Sequence, residues 1–218
     1  MVSGDIAGLI TVYVYVIILL FLSEKVLKKY PLISRKFLHI MVGNIFFILP
    51  LFDHAWVMAF VAAAPFIVLT FLVSPHSPLK LVSGTSAAGH GMGLVYYAIS
   101  WTILAYVFFD RPEVIAVGIV AMSYGDGFAS LVGSRYGKRK YDICGDVKSV
   151  EGSLAMMVMT VIVSAVALIY YGAPISIPVI GIVAVASAVV EALTPMGLDN
   201  LSVSLSAAFL YYALTYGV

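Results

Sequence analysis

Apolar residues run through this chain in long blocks broken by short polar stretches, and each block has the length of a helix rather than a strand. The blocks fall at 6–22, 37–52, 55–73, 92–109, 112–131, 153–172, 176–193 and 201–217. A helical bilayer crossing takes roughly 20 mostly apolar residues, so each block predicts a membrane helix. The second and the last two are short or flecked with polar residues. Strands alternating apolar and polar positions, as a membrane barrel requires, are missing. Helices are then the spanning form, because bare backbone finds no partner in hydrocarbon. The expected fold is all-α, a polytopic integral membrane protein of about eight transmembrane helices in a single domain over 1–218.

Composition agrees with the pattern. Of 218 residues, 62% are hydrophobic and 11% charged, and the mean hydropathy is +1.08; a soluble domain carries roughly 25% charged residues. No soluble appendage, low-complexity tail or clear internal repeat stands out, and the inverted halves of many transporters are not evident. Asp5 sits where a signal peptide carries cations, and no small-residue cleavage site follows, so the first block reads as a permanent span. The lone Cys144 lacks a partner for an internal disulfide or for a zinc pair.

Net charge is only +1, but its placement orients the chain. With eight spans, one side receives the loops 23–36, 74–91, 132–152 and 194–200. Those loops hold eleven of the twelve cations, Lys80 among them, and Arg111 alone falls opposite. Such a bias puts the loops in the cytoplasm and both termini on the non-cytoplasmic side. The expected location is the cell membrane, with the active face toward the cytoplasm.

The few polar residues inside the blocks need a chemical reason. Asp126 lies in "YGDGFAS", near the inner end of the fifth block, and a carboxylate there normally faces a partner or a wet cavity. It either pairs with a loop lysine or binds Mg²⁺, an ion that takes hard oxygen donors together with substrate phosphates. Arg135, Lys138, Arg139 and Lys140 follow. They anchor a helix end or, with Gly127, Gly133 and Gly137 beside them, clamp phosphate. In "KSVEGS", Ser149 suits a helix cap and Glu151 the first turn; functionally, Lys148 would bind phosphate and Glu151 would bind metal or take a proton. Arg35 and His39 share a helix face with Lys36 beside them, either as interface anchors or lining the active cavity. His54, His76 and His90 lie in loops and receive no role. The Gly-, Ser- and Pro-rich loop 74–93 has room to fold over a site. Asp199 and Asn200 are explained by capping, while Glu191, in the seventh block, either pairs with a cation from another helix or joins the site. The predicted topology brings these groups to one face from distant stretches, which suits a metal-bound polyphosphate reacting with a lipid.

The motifs "RKFLH", "GMGLVYYA", "GDGFASLVGSRYGKRK", "KSVEGS" and "GLDN" occur in this order over residues 34–205. Together they resemble the dolichol kinase, phytol kinase and CTP-dependent diacylglycerol kinase family, with "GDGFAS" and "KSVEGS" the specific part. The resemblance implies a Mg²⁺-dependent membrane kinase that moves a phosphoryl group from CTP to the hydroxyl of an isoprenoid alcohol or diacylglycerol. Carried over by position, Asp126, Glu151, Lys148 and His39 would be catalytic, and Asp126, Glu151 and Asp199 would hold the metal. Arg35, Lys36, Arg135, Lys138, Arg139, Lys140, Lys148 and Asn200 would bind the nucleotide. CTP and a lipid alcohol are the expected partners, and nucleic acid is not. Phosphatidate cytidylyltransferases are similar in the same region, but their Ser-Pro-Lys-Lys-Thr stands here as Asp146-Val147-Lys148-Ser149-Val150 without the proline and one lysine. An anion transporter is the non-enzymatic alternative. The acceptor lipid and the oligomeric state have no sequence motif.

Overall fold

The protein is described by a computed structural model at residues 2–78, 92–143 and 145–217. Lys80, His90, the 79–91 part of the loop expected to cover the site, and Cys144 lie outside the described residues. The chain divides into two compact units, Met1–Asp110 and Arg111–Val218.

In the first unit, α1 (Ser3–Phe21) runs on through a π turn at Leu22–Val26 and is followed by α2 (Pro31–Val42). The block expected as a span over 37–52 is helical only to Val42. Beyond it the chain tightens into 3₁₀ turns at Gly43–Phe47 and Leu49–Leu51, between a glycine of low helical preference and Pro50, which has no amide to donate. A π turn at Val57–Ala63 leads into α3 (Pro65–Leu72), and α4 covers Gly93–Val107. Pro65 cannot donate to the carbonyl of Val61 four residues back. The Tyr13 hydroxyl donates to that carbonyl instead, at 2.6 Å. Asp5, fully buried, accepts from the backbone amides of Asp53 and His54 at 3.0 and 3.1 Å and contacts His54 Nδ1 at 2.7 Å. These bonds pin the start of α1 to the 53–54 turn.

In the second unit, α5 (Pro112–Val120), a π turn (Ala121–Asp126) and α6 (Gly127–Tyr136) form one continuous helical run. A two-stranded antiparallel hairpin, β1 (Lys140–Ile143) with β2 (Asp146–Ser149), interrupts the all-helical plan. Then come α7 (Val150–Tyr170), α8 (Ile177–Leu193) and α9 (Asp199–Tyr216). Ser149 caps α7 by accepting from the Gly152 amide at 3.1 Å, as its sequence position predicts. At α7 the exposed stripe is Leu154, Val158, Ile162, Val166 and Ile169, while Thr160, Ser164 and Ala167 face inward. Apolar outside and small or hydroxylated inside is the arrangement of a helix solvated by lipid.

Among the described residues, three helices are long and apolar enough to cross a membrane: Ser3–Val26, Pro112–Tyr136 and Val150–Tyr170. Shorter apolar helices lie at Val57–Leu72, Gly93–Val107 and Ile177–Leu193.

Candidate functional site

The site in the second unit is assembled by two close helix contacts and one unusual turn. Within the π turn, a Cβ on Gly125 would stand 2.7 Å from Thr160 Oγ1, so only glycine lets this helix approach α7. At the start of α7 a Cβ on Gly152 would stand 2.7 Å from the Ala129 carbonyl. Gly125 and Gly152 therefore serve helix crossing here. The turn from α8 to α9 passes through Met196 and Gly197, both left-handed at φ 56° and 80°. The first is a sparsely populated conformation for a side chain with a Cβ. Asp146 of β2 accepts from the Met196 amide at 2.7 Å and holds this turn in place.

These elements bring together three carboxylates from three helical segments. Asp126 ends the π turn, Glu191 lies in the last turn of α8, and Asp199 opens α9. Their nearest oxygens all lie within 4.8 Å of one another, and the first two side chains are buried. Lys148 reaches in from β2. Its Nζ stands 2.8 Å from Glu191 Oε1 and 3.9 Å from Asp199 Oδ2, donates to the Glu191 carbonyl, and lies 3.4 Å from the Thr194 carbonyl. One ammonium thus serves a carboxylate pair and the C-terminal carbonyls of α8, where a cation also complements the helix dipole. Burial pushes the Lys148 ammonium down, but Glu191, then Asp199 and Asp126, outweigh it and hold its pKa above the ordinary lysine value.

Asn200 completes the arrangement. Its Nδ2 donates to the Gly197 carbonyl at 3.1 Å, which leaves a buried Oδ1 that accepts no hydrogen bond. A buried acceptor without a donor carries a desolvation cost and is available to a cation. The three carboxylates are hard-oxygen donors of the kind that Mg²⁺ takes.

The other expected residues stand differently. Glu151, in the first turn of α7, accepts from the Lys138 amide at 3.1 Å and from the Arg139 amide at 3.3 Å. It stands outside the three-carboxylate group and closes the loop that carries the cations. Arg135, Lys138, Arg139 and Lys140 are exposed, with the Arg135 guanidinium over the Tyr136 ring, 5.6 Å from its centroid. Arg35, Lys36 and His39 lie on α2 of the first unit. Lys36 and His39 are buried there, and the His39 ring meets Tyr97 edge-on at 5.5 Å. The sequence reading left Glu191 undecided. Its signal was a carboxylate inside an apolar block with no cation nearby in sequence, and the partner, Lys148, comes from 43 positions upstream.

Comparison with known proteins adds a separate line. Phytol kinase of Synechocystis sp. is 37% identical over 191 residues, covering 84% of this chain and 80% of that protein. Probable chloroplastic phytol kinases of Zea mays and Triticum aestivum are 30% and 32% identical, each over 97% of this chain and 77% of their own length. No protein-family model matches the chain, and no solved structure does.

Proposed function

The chain belongs to the phytol kinase family, and on that premise we propose that it is a membrane lipid kinase moving a phosphoryl group from CTP to the hydroxyl of an isoprenoid alcohol, phytol or a related prenol. The observation that carries this reading is the convergence of Asp126, Glu191 and Asp199 around Lys148. Phosphoryl transfer asks the protein mainly to position two oxygens in line and to neutralise charge. A group of acids with one fixed cation, drawn from distant segments of an apolar chain, supports that use.

Asp126, Glu191 and Asp199, with Asn200 Oδ1, are the residues that would hold Mg²⁺. When bound, the ion neutralises and orients the nucleotide's phosphates. Lys148 carries its positive charge at the edge of the same group, and its raised pKa keeps that charge through the physiological range. The exposed Arg135, Lys138, Arg139 and Lys140 would attract the polyphosphate, with the Glu151 carboxylate holding the Lys138 and Arg139 backbone in place. In the transfer, a bond forms between the alcohol oxygen and the γ-phosphorus, and the bond from that phosphorus to the β–γ bridging oxygen breaks. CDP leaves, and the hydroxyl proton passes to a base, for which a carboxylate of the group is the candidate. The apolar helices would be the spans, with both termini outside and the site at the cytoplasmic face.

The test incubates purified protein with labelled CTP or ATP, Mg²⁺ and a panel of prenols and diacylglycerols. A lipid monophosphate with CDP is the expected product pair. Pyrophosphate with a CDP-lipid would instead assign a cytidylyltransferase, and transport across liposomes without nucleotide consumption would assign a transporter.

A further inference from the structure

In the second unit the exposed stripe of α8 runs through Ile182, Val185, Val189 and Leu193, at the three- and four-residue steps of one helix face. The stripe does not stop where the helix does. Met196, in the turn to α9, is 61% exposed, and Leu198 after it is exposed as well. Glu191 stands between Val189 and Leu193 in sequence, on the buried face. An apolar surface therefore continues past the level of the three carboxylates on this side of the unit.

The length of α8 gives a reason. Its 17 residues span about 26 Å at 1.5 Å per residue, short of the roughly 30 Å hydrocarbon core of a bilayer. A crossing built on this helix needs apolar residues beyond its ends, and Ile175 and Met196, both exposed, supply them.

Backbone outside a helix meets hydrocarbon only where its polar groups are satisfied within the protein, and this turn fulfils that condition at one group after another. Lys148 Nζ donates to the Glu191 carbonyl and lies 3.4 Å from that of Thr194. The Pro195 carbonyl accepts from the Leu198 amide at 3.2 Å. The Gly197 carbonyl accepts from the amide and from Nδ2 of Asn200, at 3.3 and 3.1 Å. The Met196 amide donates to Asp146 at 2.7 Å, and Pro195 has no amide to satisfy. In water the solvent would serve these groups; here β2 and α9 serve them. Met196 also keeps a left-handed backbone at φ 56°, where glycine is the easier residue. The strain sets a long apolar side chain on the outside of the turn.

Val147 offers a comparison within the same unit. It is 65% exposed, but it pairs across the hairpin with Asp142, and Lys140 shares that exposed face. A single apolar residue on a charged surface is ordinary for a protein in water.

We propose that the α8–α9 turn, with Leu193 and Met196, is seated in the headgroup–acyl boundary of the bilayer and forms a lip beside the carboxylates. The occupant of this surface is lipid. A lipid hydroxyl at that boundary reaches Asp126, Glu191 and Asp199 from the side, over Met196, while a polyphosphate arrives from water on the hairpin side. The route of the alcohol rests on the lipid-kinase reading; the seat of the turn rests on the length of α8 and the satisfied backbone.

Cys144 is the only cysteine in the chain, so Cys144→Ser gives a background for single labels. In that full-length chain Met196→Cys, Leu193→Cys, Ile182→Cys and Val147→Cys each receive a nitroxide, in nanodiscs of phosphatidylcholine and phosphatidylglycerol. Power saturation then compares collisions with oxygen, which concentrates in lipid, and with a water-soluble nickel chelate. Labels at 193 and 196 should match the one at 182, with oxygen dominant, and the label at 147 should show nickel dominant. Nickel dominance at 196 overturns the proposal. So does a label there shielded from both reagents, the result if a second copy of the chain covers the turn. A kinetic measurement addresses the route. Met196→Gln should raise the KM for geranylgeraniol about tenfold, the scale on which one apolar contact discriminates, with kcat and the CTP KM unchanged, and Met196→Leu should restore the parent value. A raised CTP KM with the prenol KM unmoved overturns the route. The labels need no activity, so the two readings fail separately. Nickel dominance at 196 in an active kinase removes only this proposal, whereas oxygen dominance with no alcohol phosphorylated removes only the kinase reading.

Discussion

In the first unit several buried polar groups are satisfied in small separate sets. Asp5 has His54 and three backbone amides, Ser23 has Ser34, and the Tyr13 hydroxyl has the carbonyl that Pro65 leaves free. The space that remains among its helices is apolar. In the second unit three carboxylates draw on one lysine, and that lysine also serves two backbone carbonyls. Local neutrality is what folding alone favours in an apolar chain. An excess of buried negative charge works against folding, and it persists where a cationic ligand repays it. The contrast is between polar groups joined in small separate sets and carboxylates from three helical segments gathered within 4.8 Å of one another beside one lysine.

The sharpest way to break that contrast is Asp126→Asn. If the carboxylate serves metal and phosphate, activity falls by about 100-fold or more, the scale seen when one preorganised electrostatic contact is removed. The same change relieves like-charge repulsion, so Tm without metal holds or rises, and the rise in Tm expected from Mg²⁺ in the parent protein shrinks. Thermal unfolding with and without Mg²⁺, alongside turnover, measures all three. If Asp126 is only a structural counter-ion for Lys148, Tm drops and the Mg²⁺ response stays.

Much of this unit was legible in sequence because a charge in an apolar block must be answered by something. Asp126, Lys148 and Asp199 each stood out in short polar motifs, and the fold draws them together. Glu191 was harder, because its cation is supplied from a hairpin that no apolar periodicity predicts. The glycines near Asp126 left open what comes close to them, since a missing Cβ looks the same in sequence whether a ligand or a helix approaches. Tertiary packing against Thr160 and Ala129 distinguishes the two. The block at 37–52 was long enough for a span by composition, yet Gly43 and Pro50 end its helix early.

Lys148→Met sharpens the contrast from the other side. It leaves Glu191 and Asp199 without their cation and the end of α8 without its cap, a loss of about 3 kcal/mol by the usual cost of breaking a buried pair. Adding Glu191→Gln to the same chain should recover part of that loss, which denaturant or thermal unfolding will show. The pH dependence follows from the raised pKa. The stabilisation is complete below the ordinary lysine value of 10.5 and is lost as pH climbs through the higher folded value. Parent and variant should therefore differ by a constant amount from neutral pH upward and converge only in strong alkali.

Tyr13→Phe probes the first unit by the same logic and with a smaller effect. It removes one hydroxyl and leaves the Val61 carbonyl without its donor, at a cost of about 1 kcal/mol. Because Tyr13 belongs to the locally paired set, the Mg²⁺-induced rise in Tm should be untouched, and activity per folded molecule should hold. A lost metal response in this variant would mean that the two kinds of polar group are not separable.

Glu151→Gln gives the smallest expected change and decides between two readings of one residue. By sequence Glu151 was a metal ligand or base; in the fold its carboxylate accepts from the amides of Lys138 and Arg139. A glutamine keeps one acceptor oxygen for those amides while losing the charge that a metal would need. If the residue works by holding the cationic loop, the variant keeps its Mg²⁺-induced rise in Tm, loses less stability than Lys148→Met, and weakens in nucleotide KM more than in kcat. If it is a ligand, the Mg²⁺ response disappears as it does in Asp126→Asn, and the boundary between structural and metal-binding carboxylates moves to include the start of α7.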